Sequence, residues 1–200
     1  MPITHFHYKS ILLLAGCFLF ATQTHAQNWD INLLKDINPA QPNSTVWKTA
    51  TSSAYPVSIG VPVGLWVISK INHNKKDEQK SYKIAGSVII SAITTEGLKI
   101  IINRQRPYYK YPFDIHPYDA TEMGKSFPSA HTSLAFATAT SLSLEYKKWY
   151  ISLPAFLWAS SVGYSRLYQG EHYPSDVLAG AAVGIGSAYL SHWLTKKFFR

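Results

Sequence analysis

The sequence predicts an all-α protein, a membrane-embedded bundle of five to six helices. Three observations carry that prediction. No run of the 200 residues alternates apolar and polar side chains as a half-buried strand requires. Five apolar segments recur along the chain, at 54–71, 82–102, 128–144, 149–164 and 174–194. Charged residues, 15% of the total, gather between them: Glu96 and Lys99 are the only charges from 84 to 102, and none falls between 177 and 195. Mean hydropathy is only −0.06 because the segments are rich in Ala, Gly, Ser and Thr. Such small residues are what close helix–helix contact inside a bilayer selects.

Composition also excludes several classes. An apolar fraction of 46% offers too much burial for a disordered chain. A single cysteine, Cys17, cannot build a disulfide framework. The net charge of +8 stands in short basic blocks rather than in a stripe interleaved with aromatics, so no nucleic-acid partner is expected. The expected partners are the bilayer and a small substrate, and the oligomeric state is left open.

Taken in order, residues 1–26 read as an export signal, with Lys9 ahead of an apolar run at 11–21 and small residues at Thr24 and Ala26. The alternatives are an uncleaved first membrane helix, although the run is shorter than the roughly 20 residues a span needs, and lipidation at Cys17. Residues 27–53 are polar, contain Pro39 and Pro42, and predict a mobile periplasmic lead-in with one short amphipathic helix near 31–37. Residues 54–200 form the helical domain. Basic blocks at 70–83, 147–148 and 196–200 fall on one side of the five segments, which the positive-inside rule makes cytoplasmic. Loops 103–127 and 165–173 then share the outer side. The expected location is a bacterial inner membrane with the chemistry facing the periplasm.

Those two loops and their flanks hold three blocks: Lys99-x6-Arg106-Pro107, Pro128-Ser129-Ala130-His131, and Ser165-Arg166-x5-His172-x3-Asp176. Three cations converging on one point, Lys99, Arg106 and Arg166, need a polyanion between them, and the arginine fork suits phosphate oxygens. Pro128 reads as the first residue of a helix, with Ser126 as its cap, so the amides of Ser129, Ala130 and His131 read as helix-start anion donors. Pro174 opens the last segment and puts Asp176 in its first turn, close to His172. Asp176 can then hold the imidazole in one tautomer and leave the other nitrogen to attack. His131 has a pKa range suited to protonating a leaving oxygen. Glu96 is placed to pair with Lys99 one turn away. Tyr108, Tyr109, Tyr111, Tyr118 and Tyr168 read as an interfacial aromatic belt or as contacts to an apolar substrate. The remaining histidines have no metal-ligand spacing, so no metal site or cofactor is expected.

This constellation resembles the type 2 phosphatidic acid phosphatase superfamily, which includes bacterial acid phosphatases and vanadium haloperoxidases. The resemblance covers residues 82–194, and the one departure is Ala130 where the family has glycine. It implies a haloperoxidase-like helical bundle and metal-independent hydrolysis of a phosphate ester. It makes His172 the nucleophile that becomes phosphohistidine, Asp176 its orienting partner and His131 the acid. Lys99, Arg106, Ser129, Ala130 and Arg166 would bind the phosphoryl oxygens, Ala130 through the N–H it keeps. The expected function is a phosphatase acting on a phosphomonoester or pyrophosphate of a membrane lipid: phosphatidic acid, phosphatidylglycerol phosphate, polyprenyl pyrophosphate or lipid A. A soluble periplasmic acid phosphatase is the alternative, and a vanadium haloperoxidase stands behind it.

Overall fold

Asn74 shows how local chemistry sets the helix boundaries. Its side chain accepts hydrogen bonds from the amides of Lys76 (3.1 Å) and Asp77 (3.3 Å), and Asp77 and Glu78 occupy the positive first turn that follows. The helix it opens ends at Asn103, in the left-handed conformation (φ 50°) that asparagine tolerates. A computed structural model describes residues 23–121 and 124–198. Among the described residues are six helices: α1 (Gln23–Ile37), α2 (Thr45–Ile71), α3 (Lys75–Ile102), α4 (Ala130–Tyr146), α5 (Trp149–Tyr168) and α6 (Pro174–Phe198). A single helical turn, Pro107–Lys110, interrupts the long loop between α3 and α4, and no strand occurs among the described residues.

The five apolar segments are thus five helices, with boundaries moved for physical reasons. α2 starts at Thr45, nine residues before the apolar run, because its first turns carry polar side chains, such as Thr51 and Ser53, that bond to α5. α4 starts at Ala130 with Ser129 as N-cap, so Pro128 precedes the cap, and neither Pro128 nor Ser126 has the position expected of it. The region read as a mobile lead-in is largely helical. Ile31 and Leu34 of α1 are buried against Tyr108, Ile115, Leu167 and Tyr173. Tyr108 therefore belongs to this core rather than to an aromatic belt, whereas Tyr109 and Tyr118 are exposed. The leader at 1–26 lies outside the described residues except for its last four, which begin α1.

α4 is the central helix, packed against α2, α3, α5 and α6. Its contact with α6 is made by backbone: a Cβ on Gly180 would come within 2.6 Å of the Ser129 carbonyl oxygen, and one on Gly184 within 2.3 Å of that of Ser133. Small polar side chains fill the interior. Ser141 donates to Ser87 (2.7 Å), Thr95 donates to Ser133 (3.0 Å), and Ser91 contacts the same Ser133 hydroxyl. Large apolar side chains point outward: Ile93 is 69% exposed, Ile101 78% and Leu178 62%. Polar inside and apolar outside reverses the distribution of a water-soluble bundle and suits a lipid surround. α2, α3 and α6 are long and apolar enough to cross a membrane. The protein is an all-α, membrane-embedded bundle. Because the long helices alternate in direction, the ends of α3 and α5 and the starts of α4 and α6 lie at one end. The basic residues of the α2–α3 turn lie at the other, roughly 40 Å away at 1.5 Å per residue along the 28 residues of α3.

Candidate active site

Gly170 makes the turn that brings the third block into place. Its φ of +68° is a conformation L side chains rarely adopt, and a Cβ there would lie 2.7 Å from the His116 carbonyl oxygen. The turn presents Glu171 and His172 just before Pro174 opens α6. Asp176, in the first turn, accepts the Tyr173 amide at 2.9 Å on Oδ2, so it caps its own helix. The same oxygen lies 3.5 Å from Nδ1 of His172, with the two side chains 0% and 2% exposed. Nδ1 thus faces the carboxylate.

The two arginines meet on Glu171. Arg106 donates from Nη1 to the Glu171 carbonyl oxygen (3.1 Å) and carboxylate (3.2 Å), and from Nε to the Gly124 carbonyl oxygen (3.2 Å). Arg166, in the last turn of α5, has Nη2 3.9 Å from the same carboxylate oxygen and donates from Nη1 to Gln169 (3.1 Å). Both arginines are buried, as is Glu171, whose other oxygen accepts the Asp119 amide at 3.3 Å. Two guanidinium groups thus flank one carboxylate oxygen.

The second block joins through the backbone. Ser129 donates its amide to the Asp176 carbonyl oxygen (3.0 Å), and its hydroxyl accepts from Thr132 (3.0 Å). The Ser129 amide is therefore already engaged, unlike the donor the sequence suggested. Ala130 and His131 are the first two helical residues, and the geometry of a helix start directs their amides beyond the N-terminus. Tyr55 of α2 packs edge-on to the His131 ring, centroid to centroid 4.8 Å. Lys99 occupies the last turn of α3 at this same end, with its ammonium 3.4 Å from Glu96.

The structure adds contacts that the sequence does not show. Glu171 sits inside the third block, and its only sequence signal was a carboxylate between two motif positions. Thr51 of α2 bonds both Gln169 (2.9 Å) and Ser165 (2.6 Å), bracing the residue that holds Arg166. Arg104 donates to Asp176 (Nη1 to Oδ1, 2.6 Å) and to Asp30 (Nη2 to Oδ2, 2.7 Å). Nothing in the local sequence marks Asp30 as a partner 74 residues away.

The sequence profile of the PAP2 superfamily matches residues 81–200. The lipid A 1-phosphatase of Porphyromonas gingivalis is 44% identical over 94 residues, 46% of this chain and 21% of that protein. The first curated relatives are matched over only 21% to 52% of their own length. The crystal structure of Aquifex aeolicus LpxE superposes with a TM-score of 0.61 at 28% identity, covering 82% of this chain and 95% of that one. The transmembrane PAP2-type phosphatidylglycerolphosphate phosphatase of Bacillus subtilis superposes with a TM-score of 0.67, covering 94% of this chain and 96% of its own. At 21% identity that second likeness speaks for the fold.

Proposed function

This chain belongs to the PAP2 superfamily, and from that premise we propose that it is a lipid phosphate phosphatase working through a phosphohistidine. The observation that carries the reading is the convergence of Arg106 and Arg166 on the residue beside His172, with Asp176 behind the imidazole. In this scheme the arginines, Lys99 and the helix-start amides of Ala130 and His131 clamp the phosphoryl oxygens. Nε2 of His172 attacks phosphorus in line as the bond to the lipid oxygen breaks, and His131 gives that oxygen its proton. Water then attacks the phosphohistidine while His131 takes a proton back, the P–N bond breaks, and inorganic phosphate leaves. Catalysis rests on positioning and on charge stabilisation in a buried site, with no metal step.

A glycolipid phosphate of the lipid A type is the first substrate to test, since the Porphyromonas gingivalis relative is named for it. The basic residues at the far end (Lys70, Lys75, Lys80, Lys83) support an inner-membrane orientation with the site on the periplasmic side.

The test is phosphate release in detergent, with and without EDTA, from lipid A, phosphatidic acid, phosphatidylglycerol phosphate, a polyprenyl diphosphate and a soluble ester. Release from a lipid, unaffected by EDTA, is expected. Turnover of the soluble ester alone would favour the acid phosphatase alternative, and bromide oxidation dependent on added vanadate would favour a haloperoxidase.

A further inference from the structure

We infer that Arg104 and Asp30 are positioning residues for the His172–Asp176 pair. Through them α1, which precedes the matched family region, sets both the orientation and the effective charge of Asp176. The inference rests on the reading of His172 as the nucleophile.

The guanidinium of Arg104 spans two buried carboxylates, Nη1 on Asp176 at 2.6 Å and Nη2 on Asp30 at 2.7 Å. Asp30 is 3% exposed and Asp176 fully buried. Ser175 ties the fork to Asp30. Nη1 also donates to the Ser175 hydroxyl (2.6 Å), the Ser175 amide donates to Asp30 (2.8 Å), and the Ser175 hydroxyl contacts the same carboxylate. The flat face of the guanidinium lies 3.8 Å over the Tyr173 ring. Asp176 is thereby held from both oxygens, by Arg104 on Oδ1 and by the Tyr173 amide on Oδ2, and cannot swing away from His172.

The charge balance is as important as the geometry. Arginine alone beside Asp176 would cancel the negative field that stabilises the imidazolium side of His172. Asp30 takes up the other half of the fork, so the trio keeps one net negative charge behind the imidazole. Removing either outer member therefore changes the field at His172 in opposite directions. A purely structural bridge predicts no such opposition.

The other charged groups about this pair are Glu171 beside His172, Arg106 from the loop after α3, Arg166 from α5 and His131 at the start of α4. The substitutions below leave all four in place. The experiment is a histidine NMR titration of the full chain in detergent, with His172 assigned by loss of its signal in His172→Gln, and phosphate release measured on the same samples. Arg104→Gln should raise the His172 pKa and Asp30→Asn should lower it, each by about half a unit or more. Arg104→Lys keeps the charge but loses the fork. It should hold the pKa near that of the parent while kcat falls about tenfold at unchanged KM. If Asp30→Asn folds poorly, Arg104→Gln still decides at pH values where Asp30 and Asp176 both stay ionised, because its shift there is upward. Shifts in the same direction, or none in folded variants, would overturn the bridge. An inactive parent protein that still gives the opposed shifts would overturn the phosphatase reading and leave the bridge standing.

Discussion

Each end of the bundle holds a histidine against a buried carboxylate, and the surroundings of the two pairs differ. At the basic end, Nδ1 of His192 lies 2.6 Å from Glu145, a closer approach than the 3.5 Å between His172 and Asp176. Distance alone would choose the pair at the basic end. At the basic end, however, every carboxylate has its own lysine: Lys83 on Glu145 (2.9 Å), Lys70 on Glu78 (2.6 Å), Lys80 on Asp77 (2.7 Å). The other end buries two arginines around a single Glu171 and adds Lys99 and a helix start. Local charge balance marks a structural tie, whereas two arginines sharing one carboxylate suit the anion-binding role proposed for them.

Paired substitutions sharpen that comparison, beginning with the largest effect. His172→Ala should cut phosphate release by about four orders of magnitude while vanadate still binds. His192→Ala should leave the rate within about twofold, and equal losses would break the contrast. Glu171→Gln leaves two buried guanidinia without their carboxylate and should cost about 3–5 kcal/mol in detergent unfolding. Glu145→Gln should cost about 1–2, because Lys83 can extend to the surface. Arg106→Lys should lower kcat/KM about a hundredfold through the lost fork, whereas Lys83→Arg should change nothing measurable in the same assay.

The smallest effect is alkaline. Burial pushes the Tyr173 phenol up from its ordinary 10.0, with Arg104 pulling the other way. The folded state therefore keeps a proton that the unfolded chain releases. That contribution is intact below pH 10 and falls above it by at most about 1.4 kcal/mol per pH unit. Tyr173→Phe should flatten the slope in unfolding titrations between pH 10 and 12.

The motif residues were legible because each block is local. Pro174 and Asp176 at the start of α6 carry their own geometry, whereas α4 starts two residues beyond Pro128, and the long apolar segments fixed the ends at which the blocks gather. Glu171 was less visible: a buried carboxylate among cations contradicts the simple count of positive charge, and only the fold reveals that it bridges Arg106 and Arg166. Asp30 was invisible because its role is a contact 74 residues away, on a segment whose polarity resembled that of a loop. The same polarity hid the first turns of α2, where Thr51 works on α5 rather than on solvent.

The glycine contact between α4 and α6 has a mechanical consequence. With Gly180 and Gly184 pressed against the Ser129 and Ser133 carbonyls, the gap from the α4 amides to Asp176 is gauged by main chain, which does not compress. Lipids of different chain length act by tilting or bowing the helices at the perimeter. The central pair travels as one rigid caliper, so turnover should hardly change from thin to thick bilayers.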